Sequence, residues 1–272
     1  MDKIALEKEE LAWKKVEIAR NPKRPTSLDY IKYVFDSFME LHGDRISNDD
    51  KAICCGLANI GNQNFTVIAE QKGRTTKENI ERNFGMPNPQ SYRKAIRFMK
   101  QAEKFGRPII TFIDTKGAYP GVEAEERGQG EAIAKSMLTM ASLKVPIISI
   151  VIGEGSSGGA LAIGVGNKVY MLENAIYSIL SPEGFASILW KDSKMAKEAA
   201  EKMKLTSEDL LKFEVIDGII SEPKKQEYTD EFTQKIAKEI KKIIIKDIKA
   251  FNKMSANDIV EQRYEKFRKM GC

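Results

Sequence analysis

Histidine and cysteine are nearly missing from this chain, with one histidine and three cysteines in 272 residues. The lone histidine, His42, lies far upstream of every candidate serine. It cannot serve as the base that follows a nucleophile elbow in chain order. Cys54 and Cys55 are adjacent in a strand-like run and Cys272 is terminal. That spacing builds neither a zinc ribbon nor a disulfide framework, and the first two read as small buried apolar side chains. No apolar run reaches the length of a membrane span, and Met1 to Arg20 is charged throughout, unlike a leader peptide. A reduced, cytoplasmic setting is the expectation. No GxxxxGK[ST] loop is present. Aromatics make up 8% of the chain and show no base-stacking pattern. The net charge of +5, from 44 basic and 39 acidic residues, is mild. It suits an anionic ligand or an acidic partner and does not by itself point to nucleic acid.

What is present is ample apolar material, 42% of the residues, for one large domain or two small ones. Periodicity predicts helices over 1–20, 28–41, 91–105, 123–142, 183–190, 194–203, 229–251 and 255–269, with 207–213 also helical. Strands are expected at 52–60, 64–71, 109–114, 147–152, 168–172 and 175–180, the first two joined by a hairpin turn at Gly61-Asn62-Gln63-Asn64. The polar stretch 72–90 reads as a long loop of the kind that carries function. Strands alternating with helices argue for an α/β layout. The runs at 109–114 and 147–152, apolar almost throughout, are those of parallel strands covered on both faces.

Two glycine-rich turns stand out. One is Thr115-Lys116-Gly117-Ala118-Tyr119-Pro120-Gly121, the other Gly153-Glu154-Gly155-Ser156-Ser157-Gly158-Gly159, and each follows an apolar strand and opens a helix. The first N–H groups of a helix have no internal partner, and the helix dipole adds positive potential there. Such a place holds an anion or a developing oxyanion. Two in tandem suggest an enzyme that stabilises oxyanions with backbone groups. The second turn also satisfies GxGxxG, with Glu173 twenty residues on, which matches a dinucleotide fingerprint. Its mid-chain position, short helix and tandem partner argue against that use. Gly155, Ser157 and Gly159 satisfy GxSxG as well, but no histidine follows. Small residues that cap the helix and admit a ligand are the plainer reading of Ser156 and Ser157. Glu123, Glu125 and Glu126 are read as complements to a helix dipole, His42 as a helix-end residue, and the basic run 224–253 as a solvated helix face able to dock an acidic partner.

The ordered motifs support a resemblance. His42-Gly43-Asp44-Arg45, Gln71-Lys72-Gly73-Arg74, Arg82-Asn83-Phe84-Gly85-Met86-Pro87, the stretch Pro108 to Gly121, Val151 to Gly164, Ser181-Pro182-Glu183-Gly184 and Ala186 to Lys191 resemble the alpha subunits of bacterial acetyl-CoA carboxylase carboxyltransferase along nearly the whole chain. The resemblance implies an α/β, crotonase-like (ClpP/crotonase) spiral of ββα units. Helices at 1–45 and 226–272 would flank a core at 46–225, the whole forming one domain. It implies carboxyl transfer from carboxybiotin, carried on a biotin carboxyl carrier protein, to acetyl-CoA, giving malonyl-CoA for fatty-acid synthesis. Gly158 and Gly159 would be catalytic, giving N–H groups to the biotin ureido oxygen, and Gly117, Ala118, Gly121, Gly155 and Ser156 would line the carboxybiotin side. It further implies a beta subunit bearing a four-cysteine zinc ribbon, no metal in this chain, an α2β2 assembly, and biotin carboxylase in the wider complex. Lys116 stands where relatives usually have proline, and Ser156 where they have glycine. The alternatives are a stand-alone crotonase-like acyl-CoA hydratase or decarboxylase, and a nucleotide-binding Rossmann module.

Overall fold

The structure, a computed structural model, describes residues 3–271, with side chains from residue 11 onward. Met1, Asp2 and Cys272 lie outside the described residues, as does the side chain of Leu6. In chain order the elements are α1 (Lys3–Ala19), α2 (Ser27–Val34), β1 (Ser37–Leu41), β2 (Ile53–Ile60), β3 (Gln63–Glu70), α3 (Thr76–Glu81), α4 (Pro89–Lys104), β4 (Ile109–Thr115), α5 (Val122–Glu126) and α6 (Gln129–Ser142). There follow β5 (Ile147–Ser156), α7 (Ser157–Leu161), β6 (Lys168–Leu172), β7 (Ile176–Ser178), α8 (Pro182–Trp190), α9 (Ala196–Met203), α10 (Ser207–Lys212), β8 (Gly218–Ile220), α11 (Asp230–Phe251) and α12 (Ala256–Arg268).

The eight strands among the described residues form one sheet in the order β1-β2-β3-β4-β5-β6-β8, with β7 pairing β5. The first three strands are antiparallel and the remaining pairs are parallel. Every residue of β4 and β5 is buried, as expected for strands covered on both faces. β5 is long enough to serve two neighbours. Its first half pairs β6 and its last three residues, Glu154 to Ser156, pair β7. The sheet therefore forks where the second glycine turn begins. Phe65, Phe98, Phe112, Ile110, Ile148 and Ile240 are among the core residues that join the sheet to α4 and α11.

Four expectations need correction. The helix expected over 28–41 ends at Val34, and residues 37–41 form β1. The spacing of Leu28, Ile31, Val34, Phe38 and Leu41 imitates a helical face, but pairing with Asn59 to Cys55 of β2 wins. The helix expected over 123–142 breaks at Gly128, whose φ is +81°, and Gln129 there reaches back to the carbonyls of Pro87 and Tyr119 at 3.0 and 2.9 Å. The loop 72–90 contains α3, capped by Thr75 and Glu78 in a reciprocal pair. Finally, β5 continues to Ser156, so the second turn starts at Ser157. The short strand β8 carries too little pattern to be seen in sequence.

Candidate active site

The first turn is built at the end of β4. Gly117 has φ +130°, a conformation that L side chains rarely adopt. Its N–H donates to Thr115 Oγ1 at 3.1 Å, and that hydroxyl lies 2.6 Å from the Gly85 carbonyl. The Tyr119 N–H donates to the Pro87 carbonyl at 3.0 Å. The loop it leans on is itself unusual. Asn83, Phe84 and Gly85 have φ values of +49°, +56° and +76°, three consecutive residues in the left-handed region. Backbone strain of this kind collects at functional sites.

The second turn begins at Ser157, with φ +57°, which swings the chain from β5 into α7. Gly158 and Gly159 are the next two residues. Helix geometry leaves the first N–H groups of α7 without intrahelical partners. The two turns meet backbone to backbone. A Cβ on Gly159 would lie 2.6 Å from the Ala118 nitrogen and 2.7 Å from the Gly117 carbonyl carbon. A Cβ on Gly117 would lie 3.9 Å from Ser156 O and from Ser157 Cβ. Gly158 is half-buried beside Ile133 of α6, whose Cγ2 would be 3.4 Å from an added Cβ. Gly158, Gly159, Gly117 and Ala118 are thus brought together, with Gly158 and Ala118 partly exposed at the mouth.

Other expected site residues take different places. Gly155 and Ser156 are buried strand residues, paired with Tyr177 and Ser178 of β7. A Cβ on Gly155 would sit 3.0 Å from the Tyr177 ring and 3.1 Å from Val151, so its smallness serves close packing. An added Cβ on Gly121 would meet the Tyr119 ring at 2.4 Å.

The strand conformation of residues 153–156 removes the dinucleotide reading, because a phosphate loop cannot be an extended, sheet-paired segment. Ser157 has the backbone of an elbow and is exposed, yet no base hydrogen-bonds it among the described residues. His42 follows a strand, not a helix, and pairs with Asp49 at 3.1 Å. Among the described residues no group of three or more His, Cys, Asp or Glu could hold a metal. Cys54 and Cys55 are buried in β2, and burial pushes the Cys55 thiol up to about 12, which suits an inert apolar role.

Sequence reasoning missed three carboxylates at the ends of neighbouring strands: Glu70 on β3, Asp114 on β4 and Glu154 on β5. The signal available was an acid at the end of an otherwise apolar strand, the place where α/β sheets put functional groups. Asp114 and Glu154 face a cleft of about 520 Å³ lined also by Arg20, Lys72, Lys116 and Glu183. Arg20 pairs with Glu154 at 2.9 Å and Glu183 at 2.7 Å, and Lys72 with Asp114 at 2.5 Å. The glycine pair does not line this cleft. Glu70 is fully buried, and its Oε2 accepts the Asp114 N–H at 3.0 Å. Burial pushes its carboxyl well above the usual range, and the Asp114 charge adds to this against the Asp114 N–H bond and Lys72.

A raised acid favours the protonated folded state, so its contribution falls as pH rises above the ordinary carboxylate value. Glu70→Gln keeps the acceptor and removes the charge. It is expected to raise Tm by about 3 °C more at pH 8 than at pH 5. Thermal unfolding of both proteins at the two pH values checks this.

Comparison with known proteins decides the family. Residues 6–271 match the profile of the family described as acetyl co-enzyme A carboxylase carboxyltransferase-like. The chain belongs to that family. It is 58% identical over 260 residues to the acetyl-coenzyme A carboxylase carboxyl transferase subunit alpha of Listeria monocytogenes serotype 4a, spanning 96% of this chain and 81% of that one. The namesake from Clostridium acetobutylicum is 57% identical over 259 residues, spanning 95% and 94%.

Among solved structures, transcarboxylase 12S aligns with TM-score 0.64 at 18% identity, over 80% of this chain and 41% of its own. The beta subunit of P. aeruginosa geranyl-CoA carboxylase aligns with TM-score 0.60 at 19% identity, over 74% and 40%. The chain thus spans less than half of each of these structures. Their likeness shows the fold, which is the crotonase-like spiral expected from the sequence. The two glycine turns singled out in the sequence are the two that touch here.

Proposed function

We propose that this chain is the alpha subunit of an acetyl-CoA carboxylase carboxyltransferase and carries the carboxybiotin half of its active site. The observation that carries this reading is the close approach of Gly159 to the Gly117-Ala118 backbone, which brings two strand-to-helix turns together with Gly158 beside them in the second. A planar, hydrogen-bond-accepting group fits at Gly158, which is half-buried and where an added Cβ would meet only Ile133, while the missing Cβ of Gly159 lets the two turns close together. Carboxybiotin, when bound, would supply the carboxyl group and a ureido oxygen on which charge collects as the N–CO2 bond breaks, and the biotin so released would take the methyl proton that the carboxyl group replaces on acetyl-CoA.

The N–H groups of Gly158 and Gly159 would donate to that oxygen, with the dipole of α7 reinforcing them. Preorganised donors of this type contribute about 2.7–4 kcal/mol each in a dry site. Ile133 and Ala118 flank the donors and limit water there. Lys116, exposed on the first turn, adds positive potential nearby. No side-chain nucleophile is required, in keeping with the unpartnered Ser157.

The carrier would be a biotin carboxyl carrier protein, charged by biotin carboxylase. The thioester half would come from a beta subunit with its own zinc ribbon, in an α2β2 assembly in the cytoplasm. An apolar patch supports a partner face. Ile179, Ile188 and Leu189 are 73%, 63% and 58% exposed, on and before α8, directly after the strand that pairs with the end of β5. None of the described helices is long and apolar enough to cross a membrane.

Malonyl-CoA decarboxylation with free biocytin tests the reading. Activity is expected only when this chain and its beta subunit are mixed. Turnover of an acyl-CoA by this chain alone, without biotin, would instead establish a self-sufficient crotonase-like enzyme.

A further inference from the structure

The register between β4 and β5 slips at one place. From Ile109↔Ile147 to Ile113↔Val151 the strands advance one for one, but the next pair is Thr115↔Gly155. Two steps on β4 face four on β5. Ile152, Gly153 and Glu154 therefore pass a stretch where β4 offers only Asp114, and their backbone groups need other partners. Asp114 supplies one of them, as its Oδ1 accepts the Glu154 N–H at 2.9 Å. Arg24 Nε donates to the Ile152 carbonyl at 2.9 Å. The carboxylate also lies against Gly153, where an added Cβ would be 2.3 Å from Oδ1. Asp114 is 5% exposed and held on its own side, its N–H by Glu70 and its carboxylate by Lys72 Nζ at 2.5 Å. It precedes Thr115, the hydroxyl that fixes Gly117. Glu154, whose N–H donates to Asp114, lies three residues before Ser157. One buried carboxylate thus touches the roots of both glycine turns.

We propose that Asp114 is a positioning residue for carboxyl transfer, setting the spacing between the two turns by bonding across the β4–β5 bulge. It touches no reacting atom and acts through the donors at Gly158 and Gly159, so the inference rests on the function proposed above. A displacement of about 1 Å at a preorganised site costs on the order of 100-fold in rate.

The test uses the alpha–beta complex carrying Asp114→Ala or Asp114→Asn, the latter keeping an oxygen for the Glu154 N–H. Asp114→Ala is expected to lower kcat for biocytin-dependent malonyl-CoA decarboxylation about 100-fold, with KM for malonyl-CoA within about twofold of the parent. Asp114→Asn is expected to recover at least about tenfold of that loss. Amide exchange over residues 153–161 should quicken in Asp114→Ala while α11 exchanges as in the parent. Parental kcat in Asp114→Ala, or Asn no better than Ala, overturns the proposal. Should Asp114→Ala not assemble, Gly153→Ala, which presses on the same oxygen from the other strand, carries the same expected loss and the same refutation. A parental complex that transfers nothing brings down the proposed function. In that case the role in carboxyl transfer falls with it; unchanged exchange over 153–161 also rejects Asp114 as the link that sets the spacing of the turns, and faster exchange retains that link alone.

Discussion

A methyl group at position 159 is expected to reduce carboxyl transfer by about 10²–10³-fold, the loss associated with a missing oxyanion donor. In Gly159→Ala the new Cβ would stand 2.6 Å from the Ala118 nitrogen and 2.7 Å from the Gly117 carbonyl carbon. Both neighbours are backbone and cannot rotate away. The two turns must separate, and the donors of α7 move with them. Overpacking of this kind also costs about 1–3 kcal/mol of stability. Gly158→Ala is the informative comparison. Its Cβ would meet only Ile133 Cγ2 at 3.4 Å and Cδ1 at 3.6 Å, the ends of a side chain that can yield. The fold should keep its Tm there. Measuring kcat and Tm for both variants in complex with the beta subunit separates loss of donors from loss of fold.

The largest effect on stability is expected far from the turns, at Arg263. This side chain is 1% exposed and has no ion-pair partner among the described residues. Its guanidinium donates to the carbonyls of Met140 and Leu143 at 2.8 Å and of Val145 at 2.9 Å, and to Asn167 Oδ1 at 2.6 Å. These carbonyls lie at the C-terminal end of α6 and in the lead into β5, where the helix dipole is negative and the last carbonyls lack intrahelical donors. Burial lowers its pKa to about 10, which still leaves it charged at neutral pH. Asn167 extends the knot, donating to Ile259 O of α12 at 2.8 Å and accepting the Ile147 N–H at 3.1 Å.

Arg263→Ala leaves several buried carbonyls unpaired at about 1–3 kcal/mol each. A loss of about 4 kcal/mol or more is expected, seen as a fall in Tm of about 8 °C or more. Arg263→Lys should recover little, because an ammonium has three donors and no planar fork. Denaturant unfolding of the three proteins measures both effects. Since α6 also carries Ile133 beside Gly158, this knot ties the C-terminal helix to the wall of the site.

Much of this architecture is legible in the residues themselves. The runs at 109–114 and 147–152, apolar almost throughout, read as buried parallel strands because strands covered on both faces have little polar side to show. The hairpin turn expected at Gly61-Asn62-Gln63-Asn64 follows from local chemistry, with Ile60 and Gln63 paired across it. What escaped is what depends on distant partners. β1 is a strand only because β2 offers it an edge, while its own apolar spacing matches a helix. The end of β5 reads as a glycine loop until β7 and Asp114 are in place to hold it extended. That difference bears on the proposed site, since it moves the turn from Gly153 to Ser157, directly before Gly158 and Gly159. The glycine pair was visible as a motif, but its contact with Gly117 and Ala118 was not, because nothing in a linear chain records that two turns 40 residues apart will touch.

A structure of the alpha–beta complex with biocytin tests the central claim most directly. The account predicts the ureido oxygen about 2.7–3.1 Å from the Gly158 or Gly159 nitrogen, beside Ala118 and Ile133. A ureido group seated instead in the cleft between Arg20, Lys72 and Glu183, making no contact with the glycine pair, would contradict it.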